Sequence, residues 1–305
     1  MSLRNRNETF LVDPAAMNEL NLTGDSHMLS GFRRRAVERL TDVGISLLVR
    51  KRFYRFWSLV HEASLHGMGV LNYRRDGTGE RAFLQWLGRK ARHPGDPWIL
   101  DVGANTGHYA ADVRAVLPDA RILCFEPHPR TLEKLQSRAA ALRLDVIAMA
   151  AGREPGEVEL HDRSADPDGE HATLYRDVIL TLDRRPSTSF RISVTTVDDV
   201  LAERGIDRVL LLKIDTEGHE LAVLQGAGAS LSRGAIDIVQ LEFNEMNVFS
   251  RTFFRDLLEP LARYRLFRML PDGLVALDYS PRKTEIFGFQ NLVAIREDLV
   301  RTLLP

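Results

Sequence analysis

Residues 98–109, Trp-Ile-Leu-Asp-Val-Gly-Ala-Asn-Thr-Gly-His-Tyr, constrain the fold more than any other stretch of this chain. An unbroken apolar run reaches a carboxylate, Asp101, and two glycines, Gly103 and Gly107, bracket the turn that follows. A short apolar run of this kind suits a strand buried on both faces, as in parallel sheets. A second apolar strand, Ile122 to Phe125, ends in another acid, Glu126, followed by Pro127. Together they predict the first two strands of an open α/β sheet, where ligands collect beyond the carboxyl ends of the strands.

The side chains narrow the ligand. A dinucleotide-binding turn places a glycine two residues after the first, so that backbone can approach a pyrophosphate. Here that position is Asn105. Asp101, two residues before the first glycine, would repel a phosphate and suits a ligand carrying positive charge. S-adenosylmethionine has no phosphate and carries an ammonium and a sulfonium. Glu126 would then accept hydrogen bonds from both ribose hydroxyls, which are stronger to an ionised acceptor. The plainer alternative is a helix-capping Asp101 and a surface Glu126.

Composition sets outer bounds. At 305 residues the chain can bury a large core in one large domain or two smaller ones. A net charge of −1 points to neither a nucleic-acid binder nor an acidic-surface protein. The single cysteine, Cys124, lies within the second apolar strand, and one cysteine forms no internal disulfide. No signal peptide or membrane span is legible, so a soluble, cytoplasmic protein is expected.

The organisation along the chain follows from its punctuation. Residues 1–30 are polar and patternless, an expected mobile arm; 31–92 carry helical spacing, with Leu40, Val43, Leu47 and Leu48, then Phe53, Phe56, Trp57 and Val60. Between Arg33 and Arg55 there are eight basic and two acidic residues. This stretch is either a patch for a phosphorylated acceptor, a membrane surface or a partner, or a solvated helix face beside an apolar one. The turn cluster His93-Pro-Gly-Asp-Pro97 marks the expected boundary, with the domain proper spanning 93–305. Beyond it strands and helices alternate, predicting a doubly wound, mostly parallel sheet. Strands are expected at 98–102, 121–125, 145–149, 156–160, 209–214, 236–243, 265–270, 274–277 and 290–295, with helices to Val116 and from Pro129 to Leu142. His161 to Pro186 reads as an inserted polar loop, a candidate lid over the acceptor.

A second signature, Leu210-Leu-Leu-Lys-Ile-Asp-Thr-Glu-Gly-His-Glu-Leu-Ala-Val-Leu-Gln-Gly-Ala227, delivers Lys213, Asp215 and Glu217 towards the crevice. Gly218 makes the turn, and a helix opening at Glu220 is expected to end at Gly226. Val194-Thr-Thr-Val-Asp-Asp-Val200 lies upstream; Val239-Gln-Leu-Glu242 ends the next strand with an acid. With these pieces in place, residues 95–295 closely resemble the FkbM family of S-adenosylmethionine-dependent methyltransferases. The resemblance implies a Rossmann-like class I methyltransferase fold, with a seven-stranded, mostly parallel sheet whose last-formed strand is antiparallel. It implies that Asp101, Gly103, Ala104, Asn105, Gly107 and Tyr109 lie around the methionyl part of the cofactor. Glu126 and Pro127 would lie at its ribose, with Ala150, Ala151, Asp215 and Glu217 completing the site. It also implies hydroxyl acceptors, on sugars of glycolipids and polysaccharides or on polyketide natural products.

Methyl transfer to a hydroxyl needs alignment, which can supply about 7–11 kcal/mol of the barrier, and removal of a proton, where a positioned base adds roughly 10²–10⁴-fold. The candidate bases are His219, Asp215 and Glu242. Imidazole titrates nearest neutral pH, although a helix-start histidine is as readily a packed or solvated group. Asp215 and Glu242 could instead share a divalent ion with the acceptor. His61, His66, His161 and His171 show no ligand spacing. Two other functions compete: a non-catalytic cofactor-binding scaffold of a glycan-assembly system, and an NAD-dependent oxidoreductase, which Asp101 and Asn105 disfavour. Asp215-Thr-Glu-Gly stands where amide and adenine methyltransferases often carry an Asn/Asp-Pro-Pro-aromatic turn, which argues against those acceptors. The sequence leaves the acceptor, the methylated position, the metal requirement and the oligomeric state open.

Overall fold

The computed structural model describes residues 48–73, 77–90, 95–163 and 172–304. The expected arm at 1–30, the start of the helical region through 47, and 164–171 of the expected lid, with His171, lie outside the described residues. The chain divides into two compact units, Met1–Ala63 and Ser64–Pro305. A 3₁₀ turn at Lys51–Phe53 leads into helix α1, Tyr54–Gly67, which begins in the first unit and ends in the second. The expected boundary at His93–Pro97 is not where the units part. Helix α2, Glu80–Lys90, lies within the second unit, and its Phe83, Leu84 and Leu87 share a core cluster with Ile99, Val113 and Ile122.

The second unit is built on an eight-stranded sheet. Its strands are β1 (Trp98–Val102), β2 (Arg121–Phe125), β3 (Leu144–Ile147), β7 (Val209–Ile214), β8 (Ile236–Phe243), β9 (Tyr264–Leu270), β10 (Gly273–Ala276) and β11 (Gln290–Arg296). They are ordered β10-β9-β11-β8-β7-β1-β2-β3. β1, β2, β3, β7 and β8 pair in parallel; β11 runs antiparallel to both β8 and β9. This is the seven-stranded class I methyltransferase sheet, and β10 adds an eighth strand by hairpin pairing with β9. The continuous apolar runs of β1 and β7 are buried throughout except at Trp98, as two covered faces require. Leu100, Val102, Leu212 and Ile214 fill one core cluster; Ile99, Leu211 and Ile238 fill the other.

The order reverses at β1: the chain winds outward through β2 and β3, then returns to place β7 on the other side. That switch point opens a crevice at the strand ends. Helix α3 (His108–Val116) follows β1, and α4 (Pro129–Leu142) follows β2, with proline at its first position and His128 as cap. A separate three-stranded sheet, β4-β6-β5, was only partly foreseen: β4 is Ala150–Ala151, β5 Gly156–Arg163 and β6 Ser187–Thr195. His161 therefore sits in a strand, not in the expected loop, and β6 went unpredicted.

Candidate active site

Beyond β1 the chain turns at Gly103, with φ +80°, and a Cβ there would stand 1.8 Å from the carbonyl oxygen of Asp215. Only a glycine permits this approach, which seats the turn after β1 against the end of β7. The crevice so formed holds a cavity with about 730 Å³ of empty space, counting the part open to solvent. Gly103, Asn105, Glu126, Pro127, Asp215, Glu217 and His219 line it, with Ala150 and Ala151 from β4. Leu160 and Ile192 bring apolar surface from the small sheet, and Leu174 adds to it.

Glu126 is the best-held polar group in this wall. Its Oε1 accepts from the His128 N–H at 2.9 Å and the Thr131 hydroxyl at 2.8 Å, and its Oε2 accepts from the Asn105 N–H at 2.7 Å. Burial raises its pKa while those donors oppose the rise. A carboxylate offers about four acceptor positions. Three are taken by the chain's own donors, which fix the group and leave Oε2 with capacity towards the cavity.

Asp101 is placed differently from expectation. It shares the face of β1 that carries Ile99, is fully buried, and does not line the cavity. Its Oδ1 lies 3.7 Å from Lys213 Nζ, which also pairs with Asp215 Oδ2 at 3.0 Å and stands 4.8 Å from the Tyr109 ring centroid. Burial pushes Asp101 up to about 6 against the pull of Lys213. Burial also works against the lysine's charge, but Asp215 and Asp101 outweigh it and hold the ammonium protonated. Tyr109 donates to Gln240 at 2.6 Å, and Gln240 donates to Glu80 at 2.8 Å, so Tyr109 too is spent beneath the cavity. Neither carboxylate oxygen of Asp101 has a hydrogen-bond partner among the described residues.

The turn after β7 is fastened by one acid. Glu220, buried at the start of helix α6 (Glu220–Gly226), accepts from the Thr216 N–H and hydroxyl, the Gly218 N–H and the Asn247 amide. These bonds hold Glu217 and Gly218 in left-handed conformations, φ +52° and +103°. The turn carries His219 to the cavity, where the Tyr175 hydroxyl lies 3.2 Å from Nδ1. Burial pushes the imidazole down to about 4, so it is neutral at physiological pH.

A family profile described as the Methyltransferase FkbM domain matches residues 101–269, more than half of the chain. The chain belongs to the FkbM methyltransferase family. It is 25% identical over 193 residues to the 2-O-methyltransferase NoeI of Sinorhizobium fredii, covering 59% of this chain and 76% of that one. It is 27% identical to the hexuronic acid methyltransferase AglP of Haloferax volcanii, over 55% of this chain and 64% of that one. It is 31% identical to the 31-O-demethyl-FK506 methyltransferase FkbM of Streptomyces tacrolimicus, over 44% and 60%. This FkbM-family chain is therefore an S-adenosylmethionine-dependent methyltransferase.

Within the FkbM-family site, Asp101, Ala104, Gly107, Tyr109 and Glu242 do not line the cavity. Glu242 is partly buried on β8, and burial together with the Asp215 and Glu217 carboxylates pushes it well above the ordinary range. That leaves His219 and Asp215 as the cavity's own candidate bases. Among the described residues no group of three or more His, Cys, Asp or Glu side chains is placed to hold a metal. His128 was missed: it lines the cavity and its Nε2 lies 3.2 Å from Asp162 of β5, tying the turn after β2 to the small sheet. The adjacency of His128 to Glu126-Pro127 was the only signal for it; its partner, Asp162, lies two residues past the end of the strand expected at 156–160.

Proposed function

We propose that this chain transfers the methyl group of S-adenosylmethionine to a hydroxyl oxygen of a sugar or polyketide-like natural product. The observation that carries the proposal is that one cavity is lined both by a pre-fixed carboxylate, Glu126, and by a neutral imidazole, His219. The names of the three relatives, one acting on a hexuronic acid and two on oxygen-linked methyl positions, support an oxygen acceptor.

The residues fit the donor. Gly103 and its neighbours give backbone approach, Glu126 has remaining acceptor capacity for the ribose, and Leu160, Leu174 and Ile192 offer an apolar wall for the adenine. Asp101 and Asp215, two carboxylates sharing the single Lys213 ammonium, leave a net negative potential beneath the turn that favours the cationic methionyl end. S-adenosylmethionine supplies a methyl carbon already activated by a sulfonium. His219 accepts the acceptor's hydroxyl proton, and Tyr175 orients its ring through Nδ1. Asp215, drawn to Lys213, borders the acceptor side. A lone buried Cys124 suits a reducing, cytoplasmic setting.

The test is incubation with methyl-labelled S-adenosylmethionine and a panel of hydroxylated sugars and polyketides, with the product's methylated atom found by NMR. Label on oxygen, and at least about tenfold weaker donor binding by Glu126→Ala in calorimetry, are expected. Retention of NAD in place of the donor overturns the reading; donor binding without transfer to any acceptor would leave a scaffold.

A further inference from the structure

Among the described residues, helix α1 carries an apolar face that stands largely exposed. Phe56, Trp57, Leu59, Val60 and Ala63 fall on one side at helical spacing, and Arg55, Ser58 and Glu62 on the other. In a helix facing its own core, the apolar side is the buried one. Here Phe56 is 55%, Trp57 41% and Leu59 66% exposed. Phe56 and Trp57 meet edge to face at 5.0 Å, forming a compact aromatic wedge. The charges beside the wedge are of one sign: Arg50, Lys51, Arg52 and Arg55 are all exposed, and Glu62 is the one acid in the segment 48–63.

We propose that α1 and its basic approach form a docking surface for an anionic lipid membrane. An exposed aromatic and aliphatic face suits insertion to headgroup depth, and indole favours the membrane–water interface. Four clustered cations give the charge complementarity that a purely apolar face lacks. Either signal alone gives weak, reversible attachment; the two together give stable peripheral binding. A second copy of the chain would meet the same cations head-on, and like charges disfavour that pairing. The helix is too short to span a bilayer, and no helix among the described residues is long and apolar enough to cross one.

The test is co-sedimentation of the full chain with vesicles of phosphatidylcholine alone or of an equal mixture with phosphatidylglycerol. The expected result is binding to the mixed vesicles only, weakened by salt, with tryptophan emission shifting to the blue and the shift lost in Trp57→Phe. Phe56→Ser/Leu59→Ser should cut the bound fraction at least about tenfold. Charge removal by Arg50→Ser/Lys51→Ser should cost roughly fivefold per cation. Circular dichroism and donor affinity certify that each variant is folded. Wild-type protein that ignores the mixed vesicles overturns the proposal, as does binding unaffected by both variants. A concentration-dependent dimer in light scattering, dissolved by Phe56→Ser/Leu59→Ser, assigns the face to self-association and overturns it as well.

Discussion

At the scale of single residues, His219 and Asp101 make separable predictions. His219 is buried enough to sit near pKa 4, so its neutral form dominates above that pH. If it takes the acceptor proton, kcat/KM for the acceptor at saturating donor should rise through about pH 4 and then stay flat to neutrality. A base that weak gains less from proton transfer than one poised near 7, so His219→Ala should lower kcat by about 10²-fold, the lower end of the general-base range. Donor affinity should hold within about twofold. Wild-type turnover in that variant would move the role to Asp215. Asp101 acts on the other reactant. Its pKa of about 6 means that below this value it is protonated in the free protein. If its charge attracts the methionyl ammonium, donor affinity should fall about tenfold per pH unit below 6, and Asp101→Asn should bind weakly with no such slope. Calorimetric titration between pH 5 and 8 separates the two behaviours.

At the scale of elements, the turn between β7 and α6 shows why some of the site was legible and some was not. The run Lys-Ile-Asp-Thr-Glu-Gly-His-Glu marks the turn, because its glycine and its strand are local signals. That Glu220 is the fastener, and His219 the group it presents, depends on where four donors arrive, one of them from Asn247 on a later element. Thr196-Val-Asp-Asp199 is a similar case. Thr196 caps α5, Val197–Arg204, by accepting from the Asp199 N–H at 3.0 Å, and Asp198 accepts from the Ala229 and Ser230 N–H groups. These residues are structural, which spacing alone did not say. Gly226 ends α6 as expected, and its missing side chain also serves packing, since a Cβ there would stand 1.9 Å from the Gly152 carbonyl oxygen. The parallel strands were readable because each is a continuous apolar run; β6 was not, since Ser187-Thr-Ser-Phe-Arg-Ile alternates on a half-exposed sheet.

Glu220 also gives the element a pH signature. Burial raises it from 4.5 to about 7, so the folded state holds this proton more tightly than the unfolded chain does. Its contribution is therefore complete below pH 4.5 and is lost as pH rises through about 7, up to about 3 kcal/mol. Glu220→Gln should remove that slope from urea titrations between pH 4.5 and 8. Glu220→Ala, which strands the Thr216 and Gly218 N–H groups, should lower stability by about 3 kcal/mol. Parallel stability profiles for wild type and the glutamine variant would exclude the assignment.

At the scale of the whole molecule, the packing separates what the chain does to its substrates from where it does it. Among the described residues, the cavity lining, both core clusters and the hydrogen bonds to Glu126, Glu220 and His219 lie within Ser64–Pro305. The docking surface proposed above, by contrast, lies almost wholly within Met1–Ala63. Deletion of residues 1–63 should therefore leave a single cooperative unfolding transition and donor affinity within about twofold of the full chain. S-adenosylmethionine at a hundred times its Kd should stabilise both forms by about 2.7 kcal/mol, since this gain depends only on binding to the folded state. Turnover on a free, water-soluble acceptor should be equal for the two forms. Turnover on an acceptor presented in anionic vesicles should fall at least about tenfold in the shortened chain, because only the full chain shares the acceptor's surface. A shortened chain that loses donor affinity would show that the first unit supports the cavity itself, and equal turnover on both acceptor forms would show that α1 plays no part in reaching the acceptor.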